Sequence, residues 1–337
     1  CNPDPLILQL LQLLGSSFDC ASTSEIMKVT SLGVDPSSII FANPSKMSSM
    51  VHFAKKAQVK KMTFDCEFEL HKISTIYPEA ELLIRLATDD SHSRIRLSKK
   101  FGADYQECQH LLKLASSLKM RIVGVAFHAG CDCEDPTTYS RAIELGRRVF
   151  DYGKELGHNL TILDIGGGFS AFDSEKMNLR ALASAIKDSI AQNFQNYPGL
   201  RVISEPGQYM VMPAYHSVLQ IICKKLKPLP EGQSEKDGLR VYYLNDGCYG
   251  SFLEVLLNSF KPGLYPLEPA KGELFPSKIF GPTCTSTDTV CERIMLPDLS
   301  VGDYVVATRM GAYTTSMSPS EETFNGFLKP STIYIFQ

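Results

Sequence analysis

The stretch Leu163-Asp164-Ile165-Gly166-Gly167-Gly168-Phe169 decides how the rest of this chain is interpreted. Apolar residues at positions 160–163 lead into it, and three consecutive glycines follow. The pattern is typical of a buried parallel strand that ends in a loop whose backbone N–H groups approach a ligand closely. Bare amides of this kind can bind a phosphate or another anion. A glycine triplet is equally consistent with an ordinary turn.

Strand-like and helix-like segments alternate on both sides of this stretch. The strand patterns begin near residues 17, 39, 62, 81, 121, 160 and 201, and helical patterns separate them. Such alternation with short connections indicates a parallel sheet covered by helices. Because a helical segment at residues 6–14 precedes the first strand, we predict an α/β, TIM-type (β/α)8 barrel whose first strand is missing from this chain. An open, doubly wound sheet is the alternative.

The character of the sequence changes after Pro213. Four strand-like segments, at residues 216–225, 239–244, 301–308 and 332–336, stand among Pro- and Gly-rich turns. Residues 228–237 form a polar loop, and residues 258–278 are rich in proline. We therefore predict two domains, an α/β barrel over residues 1–213 and a mostly β domain over residues 214–337.

Composition excludes several classes of function. The 337 residues are 44% hydrophobic and 21% charged with a net charge of −3, which gives no reason to expect nucleic acid or a membrane as a partner. Ten scattered cysteines and no visible secretory signal indicate reduced thiols and a cytoplasmic location. The spacing of Cys131 and Cys133 does not suit zinc, so no metal site is expected.

Polar residues follow the ends of the predicted strands, where a TIM barrel carries its active groups. They are Asp19, Arg85, His128, the glycines at 166–168, and Glu205. Taken singly, Asp19 could cap a helix, Arg85 could pair with it, and His128 could be a satisfied core histidine. Together they suit a flat, anionic cofactor with a ring nitrogen. The glycine amides would hold its phosphate, Glu205 would keep the ring nitrogen protonated, and His128 would stack on the ring.

Ten motifs, in order along nearly the whole chain, resemble eukaryotic ornithine decarboxylase. They lie at residues 18–22, 42–44, 85–90, 127–128, 163–169, 205–207, 245–252, 281–284, 310–313 and 323–327. The resemblance implies a pyridoxal-phosphate (PLP) decarboxylase with a barrel and a β domain, working as a homodimer with active sites at the interface. The same family contains the antizyme inhibitors, which are non-catalytic regulators of polyamine metabolism, and decarboxylases of other amino acids.

The resemblance also implies a role for each matching position. His128 would stack on the PLP ring, and Glu205 would pair with the pyridine nitrogen. Cys284, donated by the other subunit, would steer the proton delivered after carbon dioxide leaves. The further cofactor contacts that it implies are Asp19 and Arg85 around the cofactor lysine, Gly166, Gly167, Gly168 and Tyr313 at the phosphate, and Asn325 nearby.

Some positions on the cofactor side depart from the family pattern. The family's Schiff-base lysine directly precedes the Cys1-Asn2 pair, so the resemblance places it outside this chain. The arginine expected after Glu-Pro-Gly is Gln208, and a neutral amide cannot replace a charged bidentate clamp on phosphate. The expected serine is Cys131, a poorer hydrogen-bond donor. These changes predict weaker cofactor binding.

The substrate side departs further. In the family two aspartates meet the distal ammonium of ornithine, and here their positions are Asn258 and Thr285. Losing both carboxylates leaves a buried ammonium unpaired, at a cost of several kcal/mol. The sequence therefore predicts poor turnover of ornithine and tolerance of a neutral or apolar substrate such as leucine.

Two functions remain open at this point. One is a decarboxylase with altered substrate preference. The other is a regulator of antizyme-inhibitor type, which the substitutions at Gln208, Asn258 and Thr285 favour. A basic stretch over residues 46–72 resembles the antizyme-binding region, although it could equally be a solvated helix face. Its lysines are Lys46, Lys55, Lys56, Lys60, Lys61 and Lys72.

Overall fold

The computed structural model describes residues 1–172, 178–228, 238–258, 260–269, 272–318 and 321–335. They form two compact units. The first, called the barrel unit below, comprises Pro3–Tyr209. The second, called the β unit, comprises Met210–Gln337 together with Cys1–Asn2.

The barrel unit is built on a seven-stranded parallel sheet. Its strands are β1 (Phe18–Cys20), β2 (Ile39–Phe41), β3 (Lys61–Phe64), β4 (Glu81–Arg85), β5 (Arg121–Ala126), β6 (Ile162–Gly167) and β7 (Arg201–Glu205). They lie in the sheet in the same order as in the chain. A doubly wound sheet would reverse its strand order at a switch point, so that alternative is wrong and the barrel with seven predicted strands is confirmed.

Helices connect and cover these strands. They are α1 (Pro5–Leu13), α2 (Thr23–Ser31), α3 (Ser48–Lys56), α4 (Glu67–Ile76), α5 (Tyr105–Ser117), α6 (Thr137–Glu155), α7 (Leu179–Asn193) and α8 (Gly207–Val211). Local sequence sets their starts: the Ser22 hydroxyl accepts a hydrogen bond from the amide of Glu25 and so caps α2. Ser22, and not Asp19, is therefore the helix cap at this position. Among the described residues, no helix is both long and apolar enough to cross a membrane.

The strands divide their side chains between two cores. In β6, Leu163 and Ile165 belong to the large core under the helices, whereas Ile162 belongs to a small cluster inside the barrel with Leu83 and Ala126. This alternation follows from the two-residue period of a strand. Residues of the first two and last two strands face one another across an interior cavity, which is lined by Phe18, Asp19, Ile40, Ile162, Ile203 and Glu205 among others.

The β unit contains a six-stranded sheet with its own core. Its elements are β8 (Ser217–Lys227), β9 (Leu239–Leu244), the short helix α9 (Leu253–Asn258), β10 (Leu264–Pro266), β11 (Leu274–Phe280), β12 (Thr289–Pro297) and β13 (Tyr304–Ala307). The order is β10-β13-β8-β9-β11-β12, and only β9 and β11 pair in parallel. The predicted mostly β character is confirmed.

Two details of the predicted β unit are wrong. The described residues 332–335 form no strand, and residue 336 lies outside the described residues. Ile333 and Ile335 have exposed fractions of 84% and 81%, so β-forming side chains here lack a neighbouring strand to pair with. Conversely, strand β10 and most of strand β11 lie in the proline-rich segment 258–278, where the sequence predicts no strand. Most of the predicted loop at 228–237 also lies outside the described residues.

Candidate functional site

Three carboxyl groups and one guanidinium meet inside the barrel unit. Asp19 lies on β1, Arg85 ends β4, Asp164 lies on β6 and Glu205 ends β7. Asp164 shares the interior face of its strand with Ile162, two residues earlier. Because the carboxyl ends of parallel strands meet at one edge, four distant sequence positions converge there.

Asp164 and Glu205 form a carboxyl pair. Asp164 is fully buried; its Oδ1 accepts a hydrogen bond from the amide of Gly166 at 2.9 Å, whereas its Oδ2 meets no N–H or hydroxyl donor among the described residues. Burial raises the pKa of Asp164 to about 6, and burial together with the Asp164 charge raises that of Glu205 well above its usual range. A proton on Glu205 satisfies the open Oδ2, so the pair shares one proton.

Asp19 and Arg85 complete the cluster. Asp19 is exposed and lines the interior cavity. Loss of hydration still raises the pKa of its carboxyl well above the ordinary value, and Glu205 adds to the rise. The guanidinium of Arg85, which is 8% exposed, opposes these rises in all three carboxyl groups. Arg85 is thus the counter-charge that allows three acids to gather at this end of the barrel.

His128 follows β5 and is a neutral imidazole. Burial, and next the positive charge of Arg85, lower its pKa to about 3. Its Nδ1 accepts a hydrogen bond from the amide of Gly130 at 3.1 Å, which leaves the proton on Nε2. Its backbone carbonyl accepts from the Thr88 hydroxyl at 2.9 Å. A neutral ring fixed from two sides suits stacking on another flat ring.

The glycine triplet is required by close packing. A Cβ on Gly166, Gly167 or Gly168 would lie 2.0–2.3 Å from a backbone oxygen of a neighbouring segment. Gly166 and Gly168 also have φ values of 67° and 76°, which disfavour other residues. The amide of Gly166 already donates to Asp164, so this glycine stabilises the carboxyl pair. Its predicted phosphate contact stays a prediction.

A hydrogen-bonded chain lies beside Gly168. Gln208 is 3% exposed, and its Nε2 donates to Oδ1 of Asp132 at 2.7 Å. Nε of Arg94 donates to Oδ2 of the same Asp132 at 2.9 Å. The amide of Asp132 donates to the carbonyl oxygen of Gly168 at 2.8 Å. The preceding Cys131 is buried, and its carbonyl oxygen accepts from the amide of Arg94.

In the β unit, Tyr313 anchors the first residue of the chain. The carbonyl oxygen of Cys1 accepts hydrogen bonds from the amide of Tyr313 at 3.1 Å and from the Ser316 hydroxyl at 2.9 Å. The Asn2 amide donates to the carbonyl of Gly311 at 2.8 Å.

The remaining predicted residues also lie in the β unit. Cys284 is exposed, and its amide donates to Oδ1 of Asn325 at 3.2 Å. The Thr285 hydroxyl is hydrogen-bonded to that of Thr287 at 2.8 Å. Nδ2 of Asn258 donates to Oε2 of the buried Glu254, one turn earlier in α9, at 2.7 Å. The two positions where the resemblance implies substrate-binding aspartates thus carry uncharged side chains, and both side chains are hydrogen-bonded to neighbouring residues.

The site contains residues that sequence reasoning did not single out. Asp164 lies within the opening motif, and an acid inside an apolar strand is itself a signal that the side chain faces a special environment. Asp132 has φ of 53°, but no pattern in the sequence connects it to Arg94 or Gln208. Their association depends on two loops and helix α8 meeting in the fold.

The barrel residues fit a pyridine ring that bears a phosphate. The Glu205 carboxyl, whose pKa is raised, can share a proton with a ring nitrogen, and the neutral His128 suits the ring face. At the expected phosphate end, the glycine loop carries no side chains that would keep a ligand away from its backbone. Gln208 presents Oε1 there as a buried oxygen without a donor among the described residues. The fit is therefore good at the ring and weaker at the phosphate.

Comparisons with known proteins extend over both units. Residues 1–212 match the family described as pyridoxal-dependent decarboxylase, pyridoxal binding domain. Ornithine decarboxylase of Mus pahari is 40% identical over 342 residues, which cover 99% of this chain and 74% of that protein. Antizyme inhibitor 2 of Xenopus laevis is 39% identical over 341 residues with the same coverage. The crystal structure of the Paramecium bursaria Chlorella virus arginine decarboxylase matches with a TM-score of 0.90 at 35% identity, covering 97% of this chain and 85% of that one.

Proposed function

The chain belongs to the family of pyridoxal-dependent decarboxylases that resemble ornithine decarboxylase, and we propose that it acts on an α-amino acid with a neutral or apolar side chain, such as leucine. Its cofactor is PLP. The observation that carries the substrate proposal is the absence of a carboxylate at both Asn258 and Thr285.

The barrel residues divide the work of binding and activating the cofactor. When bound, PLP supplies an electron sink for the pair of electrons left when carbon dioxide departs. Glu205 would share its proton with the ring nitrogen, and Asp164 and Arg85 would set how tightly it does so. His128, which is neutral at physiological pH, would pack on the ring without adding charge. Asp19 would belong to the same network through its charge interaction with Glu205 and Arg85.

Neither Asn258 nor Thr285 can form an ion pair with a cationic substrate side chain. At Thr285 the hydroxyl is bonded to Thr287, and a hydroxyl dipole cannot replace a carboxylate. At position 258 the amide donates to Glu254, an acid that is buried and already accepts this hydrogen bond. A basic side chain would therefore lose its hydration without gaining a free counter-ion. An apolar side chain carries no such penalty.

Glu254 decides how this proposal must be tested. Asn258→Asp alone would set a second carboxylate about 2.7 Å from Oε2 of Glu254 and so create repulsion rather than a cation site. The informative variant therefore combines Asn258→Asp with Glu254→Gln and Thr285→Asp. The matched control carries only Glu254→Gln, which leaves the substrate positions uncharged.

The experiment measures carbon dioxide release by the full-length protein from ornithine, lysine, arginine, leucine and other neutral amino acids. We expect release from a neutral amino acid and little from the basic ones. The triple variant should gain activity on ornithine or lysine, whereas the Glu254→Gln control should not. Efficient decarboxylation of ornithine by the unmodified protein would refute the substrate proposal.

We further propose that the protein works as a cytoplasmic homodimer. The exposed Cys284 supports this, because Asn325 fixes its backbone while its thiol remains accessible to a second chain. Cys284 of one subunit would then deliver the proton after decarboxylation in the other. Mixing a Cys284→Ala variant with a Glu205→Gln variant should restore activity in heterodimers, and no restoration would argue against a shared site.

Regulation of antizyme-inhibitor type is the second candidate, supported by the similarity to antizyme inhibitor 2. The 46–72 stretch offers fewer free charges than its composition suggests. Lys46 is buried in an ion pair with Glu69 at 2.9 Å, and Lys55 donates to a backbone carbonyl. Lys56 and Lys60 are exposed. Binding to antizyme that survives in Lys56→Ala/Lys60→Ala would exclude these lysines as the contact, and no binding at micromolar concentration would exclude the candidate.

A further inference from the structure

The Arg94–Asp132–Gln208 chain places a carboxylate at the phosphate end of the site. Its two side-chain hydrogen bonds measure 2.9 and 2.7 Å, and the backbone of Asp132 is tied to Gly168 at 2.8 Å. The acid is therefore held in place by a loop after β4, by α8 and by the glycine loop itself. This network lies wholly within the barrel unit.

The network occupies two side-chain donors that could otherwise bind a phosphate. The amide nitrogen of Gln208 is committed to Asp132, and its buried Oε1 meets no donor in the described part of the chain. Nε of Arg94 is likewise committed to Asp132. A phosphate arriving at Gly168 would therefore meet oxygen atoms of Asp132 and Gln208, and like charges or unpaired acceptors in a confined site repel each other.

We propose that Asp132 is the residue that sets the affinity of this protein for phosphate-bearing cofactor. It competes with the phosphate for Gln208 and Arg94, and it adds a negative charge beside the glycine loop. Binding of the phosphate requires these donors to exchange Asp132 for the phosphate oxygens. The inference rests on the proposal that the glycine loop holds the phosphate of PLP.

Asp132→Asn is the decisive variant. Asparagine has nearly the same size and tolerates the left-handed conformation at φ of 53°, so the variant removes the charge and keeps the backbone. Asp132→Gly serves as a second variant because glycine adopts the same conformation without strain. Asp151→Asn is the matched control, since Asp151 also pairs with an arginine, Arg147, but lies on α6 and is half exposed.

The readout is the dissociation constant of the full-length protein for PLP and for pyridoxal, which lacks the phosphate, measured by calorimetric titration. We expect Asp132→Asn and Asp132→Gly to bind PLP about 10-fold more tightly, which corresponds to about 1.4 kcal/mol. Their affinity for pyridoxal, and the affinity of Asp151→Asn for both ligands, should not change.

Different results would contradict the role of Asp132 and the binding of phosphate by the glycine loop. Unchanged PLP affinity in both Asp132 variants, or an equal gain for PLP and pyridoxal, would overturn the role of Asp132. If the unmodified protein binds PLP no more tightly than pyridoxal and the variants do not change this, the glycine loop does not bind the phosphate. That second result would overturn the site assignment as well.

Discussion

The two ends of the cofactor site in the barrel unit differ in how completely their groups suit PLP. At the ring end, the carboxyl pair, Arg85 and the neutral His128 form one electrostatic network whose members balance each other. At the phosphate end, the glycine backbone is present, but Gln208 stands where a guanidinium is expected and Asp132 holds it. The difference supports the proposals that the ring chemistry is retained and that the affinity for the cofactor is altered.

The largest expected effect tests whether the ring end carries catalysis. Glu205→Gln keeps the size of the side chain but cannot hold the ring proton, so the decarboxylation rate should fall about 100-fold or more, as when one preorganised electrostatic contact is removed. Steady-state carbon dioxide release measures it, with Glu67→Gln on the surface of α4 as the control. A loss of less than about fivefold would show that Glu205, and with it the ring end of the site, does not carry catalysis.

The next effect tests the backbone of the phosphate end. Gly168→Ala would place a Cβ 2.0 Å from the carbonyl oxygen of Gly130, whereas Gly157→Ala would meet nothing within 4 Å at a similar positive φ. Both variants carry the conformational cost of about 1–2 kcal/mol for a left-handed residue. Only Gly168→Ala should lose a further 1–3 kcal/mol or so from overpacking. Urea unfolding measures the difference in the free energy of unfolding. Equal destabilisation of the two variants would show that the loop can accommodate a Cβ atom at position 168.

A smaller effect tests the raised pKa of Asp164 at the ring end. Because burial raises the pKa of Asp164 to about 6, this carboxyl is protonated at higher pH in the folded state than in the unfolded chain. The resulting stability is present below about pH 4 and is lost as pH rises through about 6, which amounts to about 1–2 kcal/mol between pH 5 and 8.

Asp164→Asn should remove this part of the pH dependence, while the exposed Asp188→Asn on α7 should leave it. The free energy of unfolding of cofactor-free protein at pH 5 and pH 8 provides the measurement. Parallel pH profiles for the wild type and Asp164→Asn would mean that burial does not raise the pKa of Asp164.

The smallest expected effect is that the protonation state of His128 does not change between pH 5 and 8. With its pKa lowered to about 3, His128 should show no titration of its imidazole between pH 5 and 8. Nuclear magnetic resonance of the histidine ring protons tests this, with His128→Asn to assign the signal. A midpoint near 6.5 would show that Arg85 and burial do not control this end of the site.

Much of the ring end could be predicted from the sequence, because strand ends in a parallel barrel converge by topology. The positions of Asp19, Arg85, His128 and Glu205 after their strands were sufficient to place them at one edge. The proline-rich strands β10 and β11 could not be predicted, because β-pairing depends on distant partners more than on local composition.

The sequence by itself determined the alternation of strands and helices and the glycine loop, since each is a local property of residue type and spacing, and its resemblance to the family implied the loss of two substrate carboxylates. Only the tertiary structure decided that Asp164 and Glu205 share a proton, that Gly166 is bonded to Asp164, and that Asp132 joins Arg94 to Gln208. Those features arise from groups that burial forces together, and the energy of a buried charge depends on neighbours that no sequence pattern reveals.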